Sequence, residues 1–499
     1  MKFKKTISIA LTISVLAAMG LTGCNSNREA TSSASNSSSV SEEQGAPVNL
    51  IYYTIGQPDP DLQKVNDALN KLLKEKINVT VKYNKITWSD YGTKISALVN
   101  SGADFDIAFA SGPDQGDYAG NAKKGAWLDL TDYLQEGGKT TYSMIDPLFW
   151  SGVSIGGKIY GVPTNKEIAV PEWWMYSKSL VDKYHIDISK YTTLESLEPL
   201  LALIKKNEPD WQPMQLDKNA NNFFALDDYE YIISKEIPLM VKSDDTGLNV
   251  VNIFDTLLAK KQLATLRKYY KAGYINEDAG VKASQSLERG QKVFWKQAGG
   301  GPYSEVSWSA DRGYSLVAQK VSKTTVTTES ARGGMMVVNS RTKNPKACIE
   351  FLNLLNTDPE VRNLINYGIE GVHYNLNADK QVTKISDAYA GVQYTQGNWF
   401  ILNTVVGDPK DKWDKYREFN KTGVKSEMLG FTADTSKLTS EISAITQVWT
   451  KYYPCLMTGS VDPDEQLPKF LSELKDAGID KVQAELQRQL LSWKASTKK

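Results

Sequence analysis

Two short stretches of the sequence have the residue types and spacing of reactive sites. The first, GVSIG at 152–156, fits the Gly-x-Ser-x-Gly turn that presents the serine nucleophile of many hydrolases. That turn must join a strand to a helix, whereas Gly156 and Gly157 predict a hairpin directly after Ser154. A chance match is the favoured interpretation, and no catalytic residue is predicted.

The second stretch, DKNANNFFALDD, has the spacing of a calcium-binding loop. Positions 1, 3, 5 and 12 of such loops supply oxygen ligands, and here they hold Asp217, Asn219, Asn221 and Asp228. Asn222 stands where the sharp turn normally requires glycine, although asparagine tolerates a left-handed backbone. Asp228 has a shorter side chain than the usual glutamate. A polar turn without metal is the default interpretation, and bound calcium is the alternative.

Cys24 closes the most specific pattern in the chain. Lysines at positions 2, 4 and 5 precede a mostly apolar stretch, and small residues follow, in the order of a secretory signal peptide. Leu21-Thr22-Gly23-Cys24 resembles the lipobox of bacterial lipoproteins. The resemblance implies that residues 1–23 are removed and that Cys24 carries a diacylglyceryl thioether and palmitate-type acyl chains, which anchor a protein firmly. An ordinary signal peptide with a chance cysteine is the alternative.

The rest of the chain divides into a tether and a body. Residues 24–46 are rich in Ser and Asn with few apolar side chains, which predicts a disordered tether. The body, 47–499, is too long for one hydrophobic core and predicts two or three domains. Lys plus Arg equals Asp plus Glu at 58 each, so the charge does not favour a nucleic-acid partner. No second apolar run is long enough to cross a membrane.

Cysteine and histidine are scarce. The chain has three cysteines and two histidines, which argues against a zinc or copper site, and no cofactor is predicted. Cys348 lies among apolar residues at helical spacing, so we expect a small buried side chain. A Cys348–Cys455 disulfide is the alternative.

The body begins with alternating strand and helix patterns. VNLIYYTI, INVTVKYNKI and FDIAFA are rich in β-branched and aromatic residues and predict three strands. Between them, apolar residues at three- and four-residue spacing predict a helix over 61–76 and a second helix that Ser89 can cap. This order predicts a parallel sheet, and ligands of such sheets bind beyond the carboxyl ends of the strands.

Later segments continue the α/β pattern and end in helices. IGGKIYGVP predicts a hairpin, and EWWMYSKSL predicts a strand followed by a helix from about Ser177. QKVFW, YSLVAQKV and GGMMVVN predict further strands, and NPKACIEFLNLLNT predicts a helix. The last hundred residues are predicted to be mainly helical.

Five stretches in this order carry a family resemblance: DLQKVNDALNKLLKEKINVTVKY, YGTKISALVNSGADFDIAFASG, GGKIYGVP, MYSKSLVDKY and GGMMVVNSRTKNPKACIEFLNLLNTDPEV. With them the chain resembles the family 1 extracellular solute-binding proteins, which are the substrate-binding lipoproteins of ABC importers. GFTADTSKLTSEISAITQV and the helices after it resemble the C-terminal tail of a branch linked to oligosaccharide uptake.

The resemblance implies a two-lobe periplasmic-binding-protein-like fold of type II with an extra helical C-terminal region. Lobe 1 would combine 47–168 with 333–375, and lobe 2 would combine 169–332 with 376–499. The chain would cross between the lobes near 165–173, near 332–335 and near 368–374. The ligand would lie between the lobes, whose closure would trap it.

A site for a sugar needs aromatic faces for the rings and carboxylates or amides for the hydroxyls. In the sugar-binding relatives the position of Asp114 supplies a carboxylate and that of Tyr303 supplies a stacking ring. On a strand, at most one of two consecutive tryptophans faces the cleft. Strand tips and implied crossings give these candidates: Trp88, Asp114, Asn165, Glu172, Trp173, Trp174, Tyr303, Glu370, Tyr374 and Trp399.

Each candidate also has a plain structural alternative. The tryptophans could belong to the core, Asp114 could cap a helix, and Lys166 is interpreted as a solvated hinge residue. Functionally, the resemblance implies a monomeric protein, lipid-anchored at the extracellular face, that binds a carbohydrate, with an oligosaccharide favoured. It would deliver this ligand to permease subunits without chemistry. The alternatives are a secreted carbohydrate-active hydrolase, or the same scaffold binding a peptide or serving as a sensor input.

Overall fold

The computed structural model describes residues 45–219, 222–282 and 290–497. Cys24, the predicted signal peptide, nearly all of the predicted tether and Asn221 of the calcium-loop candidate lie outside these ranges. The body from Ala46 onward forms one compact unit. In the described ranges, no helix combines the length and the apolar character needed to cross a membrane.

Strands and helices alternate through most of the body, as the sequence patterns predict. The strands are β1 (Val48–Ile55), β2 (Val79–Ile86), β3 (Ile107–Ala110), β4 (Gly161–Pro163), β5 (Glu172–Ser177), β6 (Gln212–Met214), β7 (Tyr229–Tyr231), β8 (Leu239–Lys242), β9 (Val251–Asn252), β10 (Val293–Gly299), β11 (Leu316–Lys320), β12 (Thr325–Val326), β13 (Met335–Val338), β14 (Tyr374–Leu376), β15 (Val382–Lys384) and β16 (Val424–Lys425). The helices are α1 (Leu62–Ile77), α2 (Tyr91–Ser101), α3 (Tyr118–Lys123), α4 (Thr131–Gln135), α5 (Lys139–Met144), α6 (Pro147–Val153), α7 (Lys178–Lys183), α8 (Glu198–Asn207), α9 (Leu257–Lys271), α10 (Ser304–Arg312), α11 (Thr328–Arg332), α12 (Pro345–Thr357), α13 (Pro359–Tyr367), α14 (Lys412–Asn420), α15 (Thr439–Met457), α16 (Pro463–Asp476) and α17 (Ile479–Thr497).

The first sheet has the order β2-β1-β3-β13-β4. Strands β1, β2 and β3 are parallel, which confirms the predicted β-α-β-α-β unit. Strand β13 is antiparallel to β3 and to β4, so the whole sheet is mixed. The predicted cap of α2 is wrong: Asp90 occupies the N-cap position, and the Ser89 hydroxyl donates to the Asp90 carboxylate (3.3 Å) instead.

The second sheet has the order β11-β5-β10-β6, with β5 antiparallel to both neighbours. Each sheet lies in a separate hydrophobic core. The first core draws on 50–169 and 326–365 together with Leu429. The second draws on 174–295 and 428–490, so the C-terminal helices pack on the second sheet. A small third cluster contains Leu402, Trp413 and Tyr416.

The chain passes between the two sheets three times. The first crossing, residues 164–171 between β4 and β5, overlaps the predicted range 165–173 almost completely. The second lies between β11 and β13 and contains α11. The third lies at β16, which pairs in parallel with β12 of the second crossing. Immediately after β16, the Glu427 amide donates to the Ser243 carbonyl of the second lobe (2.8 Å).

The segment before this third crossing is bound to the first core. Buried donors satisfy its polar groups: Lys85 Nζ donates to the Ala390 carbonyl (2.7 Å), and Tyr52 Oη donates to Gln396 Oε1 (2.9 Å). These contacts favour a third crossing near 421–427 instead of the predicted 368–374. The lobe limits themselves stay a prediction.

The three crossings are hydrogen-bonded to one another. Asn420 Oδ1 accepts from the Ile168 amide (3.0 Å), and Asn420 Nδ2 donates to the Lys166 carbonyl (2.9 Å). Ser330 Oγ donates to the Ile168 carbonyl (3.2 Å). Because each segment supplies partners for the next, the crossings form one connected hinge between the two cores.

Glu230 on β7 links the second lobe to this hinge, where it is hydrogen-bonded to Ser426. Burial raises the pKa of Glu230 from 4.5 to about 7, and the nearby Glu329 carboxylate adds to the rise. A raised folded-state pKa makes the group favour folding most below pH 4.5, and this contribution is lost as the pH rises through 7. We therefore expect Glu230→Gln to stabilise the protein by about 2 kcal/mol at pH 8 and by much less at pH 5.

Urea unfolding of the wild type and of Glu230→Gln at the two pH values measures this difference. The exposed Glu465→Gln provides the control, with the same change of charge on the C-terminal helix α16. An equal effect of Glu230→Gln at pH 5 and pH 8 would contradict the prediction.

Two sequence alternatives are settled by the fold. Cys348 is completely buried in the first core and both Cys348 and Cys455 are free, so the disulfide alternative is wrong. Ser154 follows α6 as its C-cap and precedes a tight turn, in which the Ile155 amide donates to the Lys158 carbonyl (2.9 Å). The strand-to-helix setting of a nucleophile turn is therefore missing at Ser154, and the predicted hairpin is present.

Candidate functional site

An aromatic group lies beyond the carboxyl ends of β2 and β3. The Trp88 side chain is 44% exposed, and its ring centroid lies 5.9 Å from that of Tyr394. Tyr394 packs edge-on against Phe109 of β3 at 6.1 Å, and burial raises the pKa of Tyr394 to about 12. Trp88 is therefore outside the core and keeps a free ring surface at the predicted strand tip.

Asp114 lies in the loop after β3 and is exposed. The helix-cap alternative for this residue is wrong, because Asp117 caps α3 by accepting from the Gly120 amide (3.0 Å). Close packing fixes the loop: a Cβ on Gly92 would lie 2.2 Å from the Asp114 carbonyl oxygen. Asp114 thus has a fixed backbone and an accessible carboxylate, and its contact with a ligand stays a prediction.

Asn165 and Trp399 are joined through their backbones at the first crossing. The Asn165 amide donates to the Gly397 carbonyl (3.0 Å), and the Trp399 amide donates to the Asn165 carbonyl (2.9 Å). The Trp399 indole N–H donates to the Gln393 carbonyl (3.0 Å), which fixes the ring. Its centroid lies 6.3 Å from each of the Trp413 and Tyr416 rings, and Trp399 stays half-buried.

The interpretation of Lys166 as a solvated hinge residue is wrong. This residue is only 5% exposed and is not a solvated hinge side chain. Its Nζ pairs with Glu167 Oε1 at 2.9 Å and lies 6.0 Å from the Trp399 ring centroid. The cation is buried because a carboxylate and an aromatic face compensate it, and residue type alone did not show this arrangement.

The two consecutive tryptophans of β5 point in opposite directions, as strand geometry requires. Trp174 is completely buried, donates to Gln297 Oε1 (2.9 Å) and packs on Trp295 at 5.5 Å. Its prediction as a ligand-facing residue is corrected, because its ring completes the second core. Trp173 is half-buried, and its indole N–H donates to the Gly300 carbonyl (3.0 Å).

Glu172 begins β5 next to these rings. Burial raises the pKa of its carboxyl from 4.5 to about 7, and a hydrogen bond with Gln297 partly offsets that rise. The Glu172 amide donates to Ser322 Oγ (2.8 Å) in the second crossing. A carboxyl group that is half-protonated near neutral pH can donate a hydrogen bond to a hydroxyl when protonated and accept one from it when ionised.

The glycine-rich loop 299–303 reaches from the second lobe to the third cluster. A Cβ on Gly301 would lie 2.9 Å from the Tyr416 ring, so only glycine permits this approach. Tyr303 follows with φ 63°, and its hydroxyl donates to the Asp411 carboxylate (3.1 Å to each oxygen). The predicted stacking residue therefore lies where elements of both lobes meet.

Glu370 and Tyr374 lie apart from this meeting point. Glu370 is exposed, and an isolated bridge connects it to Tyr374. Tyr374 is 7% exposed, and its ring centroid lies 5.8 Å from that of Tyr367. Because Tyr367 packs against the third cluster, Tyr374 supports that cluster indirectly. The ligand-binding roles of Glu370 and Tyr374 stay predictions. Among the described residues, no contact joins Glu370 to Trp399 or Tyr303.

The calcium-loop candidate is held by hydrogen bonds and an ion pair within the chain. Asp228 pairs with Lys323 Nζ (2.6 Å), and Asp217 Oδ1 accepts from the Asn219 amide (2.9 Å). Within the described ranges, no group of three or more His, Cys, Asp or Glu side chains is arranged to hold a metal ion. Bound calcium stays an untested alternative, since Asn221 lies outside those ranges.

The structure brings Trp399, Asn165, Trp173 and Tyr303 into one region, which we call the hinge cluster together with Lys166, Glu167 and Tyr416. Sequence reasoning missed Glu167, Tyr394 and Tyr416. A usable signal existed for Tyr394, since it lies five residues before the predicted candidate Trp399. Glu167 lies within the predicted crossing 165–173, but its residue type, shared with many of the chain's 58 acidic residues, did not mark it as a site residue.

Two cores joined by three crossings, with aromatic and carboxylate side chains at the junction, define a two-lobe binding protein. Residues 59–361 match the family of bacterial extracellular solute-binding proteins, and residues 427–495 match a domain of unknown function (DUF3502). The first match spans more than half of the chain, so this protein belongs to the bacterial extracellular solute-binding proteins. The family resemblance and the two-lobe α/β fold are thereby confirmed.

Similar proteins are known from Streptococcus pneumoniae. A carbohydrate ABC transporter substrate-binding protein of serotype 4 is 31% identical over 98% of this chain and 98% of its own length. The N-glycan transport solute binding protein has a crystal structure with a TM-score of 0.81 and 29% identity, covering 91% of this chain and 100% of that one. Its complex with Man5GlcNAc gives a TM-score of 0.68 at 30% identity, covering 90% of this chain and 99% of that one.

Proposed function

We propose that this protein is the substrate-binding component of an ABC importer and binds an oligosaccharide between its two lobes. The observation that carries the proposal is the hinge cluster. There, Trp399 is fixed in orientation and half-buried, and the Tyr303 loop of the other lobe lies against Tyr416. A sugar ring can stack on such an aromatic face while its hydroxyls bond to neighbouring amides and carboxylates. The relatives from S. pneumoniae support a carbohydrate as the ligand.

Closure of the two lobes would trap the ligand. The similarity to the S. pneumoniae protein falls from a TM-score of 0.81 to 0.68 when the compared structure contains Man5GlcNAc. A difference in lobe orientation would produce such a fall while each lobe stays intact. The three bonded crossings provide a hinge for this motion, and the sugar would drive it by binding the closed form more tightly.

Thermal-shift screening with neutral glycans and with peptides tests the proposed ligand class. A ligand at 100 times its Kd adds about 2.7 kcal/mol of stability, which is readily detected as a higher unfolding temperature. We expect Man5GlcNAc or a related glycan to raise that temperature and peptides to leave it unchanged. Stabilisation by peptides alone would contradict the carbohydrate proposal.

We further propose that the protein releases its sugar chemically unchanged. A glycoside hydrolase needs two carboxyl groups across a cleft, about 5 Å or about 6.5–9.5 Å apart. In and beside the hinge cluster, Glu167 is paired with Lys166, Asp411 accepts from Tyr303, and the Glu172 carboxyl is hydrogen-bonded with Gln297. Mass spectrometry of glycans after long incubation provides the test: shortened products that disappear when one cleft carboxylate is mutated would contradict a pure binding role.

For the N-terminal segment we propose a lipid anchor on Cys24 and a tether over 24–46. The proposal rests on the signal-like order of residues 1–23 and the LTGC sequence. An anchored receptor would stay close to its permease at the extracellular face of the membrane. We expect wild-type protein in the membrane fraction of expressing cells and Cys24→Ala protein in the soluble or secreted fraction. Cys24→Ala protein that is still lipidated and membrane-bound would contradict the anchor.

A further inference from the structure

Glu167 in the first crossing has an unusual carboxylate. Its Oε1 pairs with Lys166 Nζ at 2.9 Å, and the two side chains are only 14% and 7% exposed. Its Oε2 is buried, and none of the described residues places a donor within hydrogen-bonding distance of it. Leaving a charged oxygen buried without a donor costs free energy, so the site as it stands is incomplete.

The surroundings of Glu167 identify where a donor could come from. Lys166 Nζ lies 6.0 Å from the ring centroid of Trp399. The backbone of Trp399 is hydrogen-bonded to Asn165, the residue before Lys166. Burial raises the pKa of the Tyr416 phenol, and the Glu167 carboxylate is the charge that adds most to this rise. The Glu167 carboxylate therefore lies near Tyr416. Tyr416 in turn meets Gly301 of the second lobe. Glu167 therefore lies inside the hinge cluster, next to the proposed stacking face.

The Glu167 side chain does not hydrogen-bond one crossing to another. The backbone atoms on either side of it make those links, since Asn420 bonds to the Lys166 carbonyl and to the Ile168 amide. The side chain is thus free of the hinge's own hydrogen bonds apart from its pairing with Lys166. Its second oxygen is left for something the chain does not supply.

We propose that Glu167 Oε2 accepts a hydrogen bond from a hydroxyl of the bound sugar whose ring stacks on Trp399. Lys166 orients the carboxylate through Oε1, so Glu167 becomes a specificity-determining residue for sugars that place a hydroxyl at this point. This inference rests on the proposed function, because it needs a carbohydrate between the lobes. A sugar that lacks that one hydroxyl would leave the buried oxygen unpaired and would bind more weakly.

The test is a double-mutant cycle by isothermal titration calorimetry. The probes are Man5GlcNAc, Man1GlcNAc and the single-deoxy derivatives of Man1GlcNAc, titrated into the wild type and E167Q. We expect one deoxy derivative to bind the wild type at least about 10-fold more weakly than its parent, which corresponds to about 1.4 kcal/mol. E167Q should bind the parent about as weakly, and should bind that derivative and the parent with nearly equal affinity. This equality is the signature of a direct contact, since a purely structural role would weaken every sugar alike.

Glu208→Gln is the matched control, because the Glu208 side chain is 13% exposed and pairs with Lys183 on the second lobe, away from the hinge cluster. It should leave every Kd within about twofold. If E167Q fails to fold, the same titrations are made with E167D, because aspartate keeps the charge and withdraws the carboxylate oxygen by one methylene. Binding of sugars by the wild type with additive losses in the cycle would overturn the role of Glu167. No binding of Man5GlcNAc or Man1GlcNAc to the wild type would overturn the proposed function instead.

Discussion

Trp399→Ala is expected to weaken the binding of Man5GlcNAc by about 30-fold or more, which corresponds to at least about 2 kcal/mol. The half-buried indole offers the sugar a large flat face, and its hydrogen bond to Gln393 and its contacts with Trp413 and Tyr416 hold it in place before binding. A ring that is already ordered loses little entropy on binding, so its contact contributes strongly to affinity.

Isothermal titration calorimetry measures this loss, and Trp399→Phe helps to interpret it. Phenylalanine keeps an aromatic face, so it should recover part of the affinity that alanine loses. Trp211→Ala removes another half-buried indole, which packs on Tyr314 in the second lobe, and should leave the Kd unchanged. Equal affinity of Trp399→Ala and the wild type would contradict a stacking role at the hinge cluster.

Arg362→Ala is expected to lower the free energy of unfolding by about 3–5 kcal/mol. This guanidinium is completely buried, and burial lowers its pKa to about 10. It donates to Asn366 Oδ1 (3.3 Å) and to the Gln393 carbonyl (2.9 Å). Alanine would leave a large cavity, would remove the donor of Asn366 Oδ1 and would leave the Gln393 carbonyl with only the Trp399 indole, and these effects favour the unfolded chain.

The same substitution should also reduce sugar affinity, since Gln393 belongs to the segment that carries Tyr394 and Trp399. Urea unfolding and calorimetric titration of one preparation separate the two effects. Arg488→Ala is the control: its side chain is 67% exposed and pairs with Glu485 on α17, where surface ion pairs contribute little. A loss of stability below 1 kcal/mol for Arg362→Ala would contradict the structural role described here.

Strand and helix patterns predicted much of the framework because they depend on local spacing. The parallel β1-β2-β3 unit and α1 follow from alternating and three-to-four spacing of apolar residues. The antiparallel direction of β13 does not, since it depends on a connection of more than two hundred residues from β3. The family resemblance supplied the two-lobe arrangement, which composition alone did not.

The site was predicted less completely than the fold. Strand alternation showed that only one of Trp173 and Trp174 could face the cleft, but the choice required knowing which face of β5 the second core covers. Lys166 was misinterpreted because lysine is usually solvated, and only the three-dimensional neighbours Glu167 and Trp399 explain its burial. The third crossing was predicted earlier in the chain than the contacts favour, because buried donors such as Lys85, distant in sequence, hold the segment on the first core.

Whether the two lobes bind an oligosaccharide without cleaving it can be measured by calorimetric titration of the body, residues 47–499, with Man5GlcNAc, followed by mass spectrometry of the recovered glycan. We expect saturable binding of one glycan per chain, lost or strongly weakened in Trp399→Ala, with the glycan recovered unchanged. Failure to bind any neutral oligosaccharide, or recovery of cleaved sugar that requires a hinge-cluster carboxylate, would contradict a binding protein for oligosaccharides.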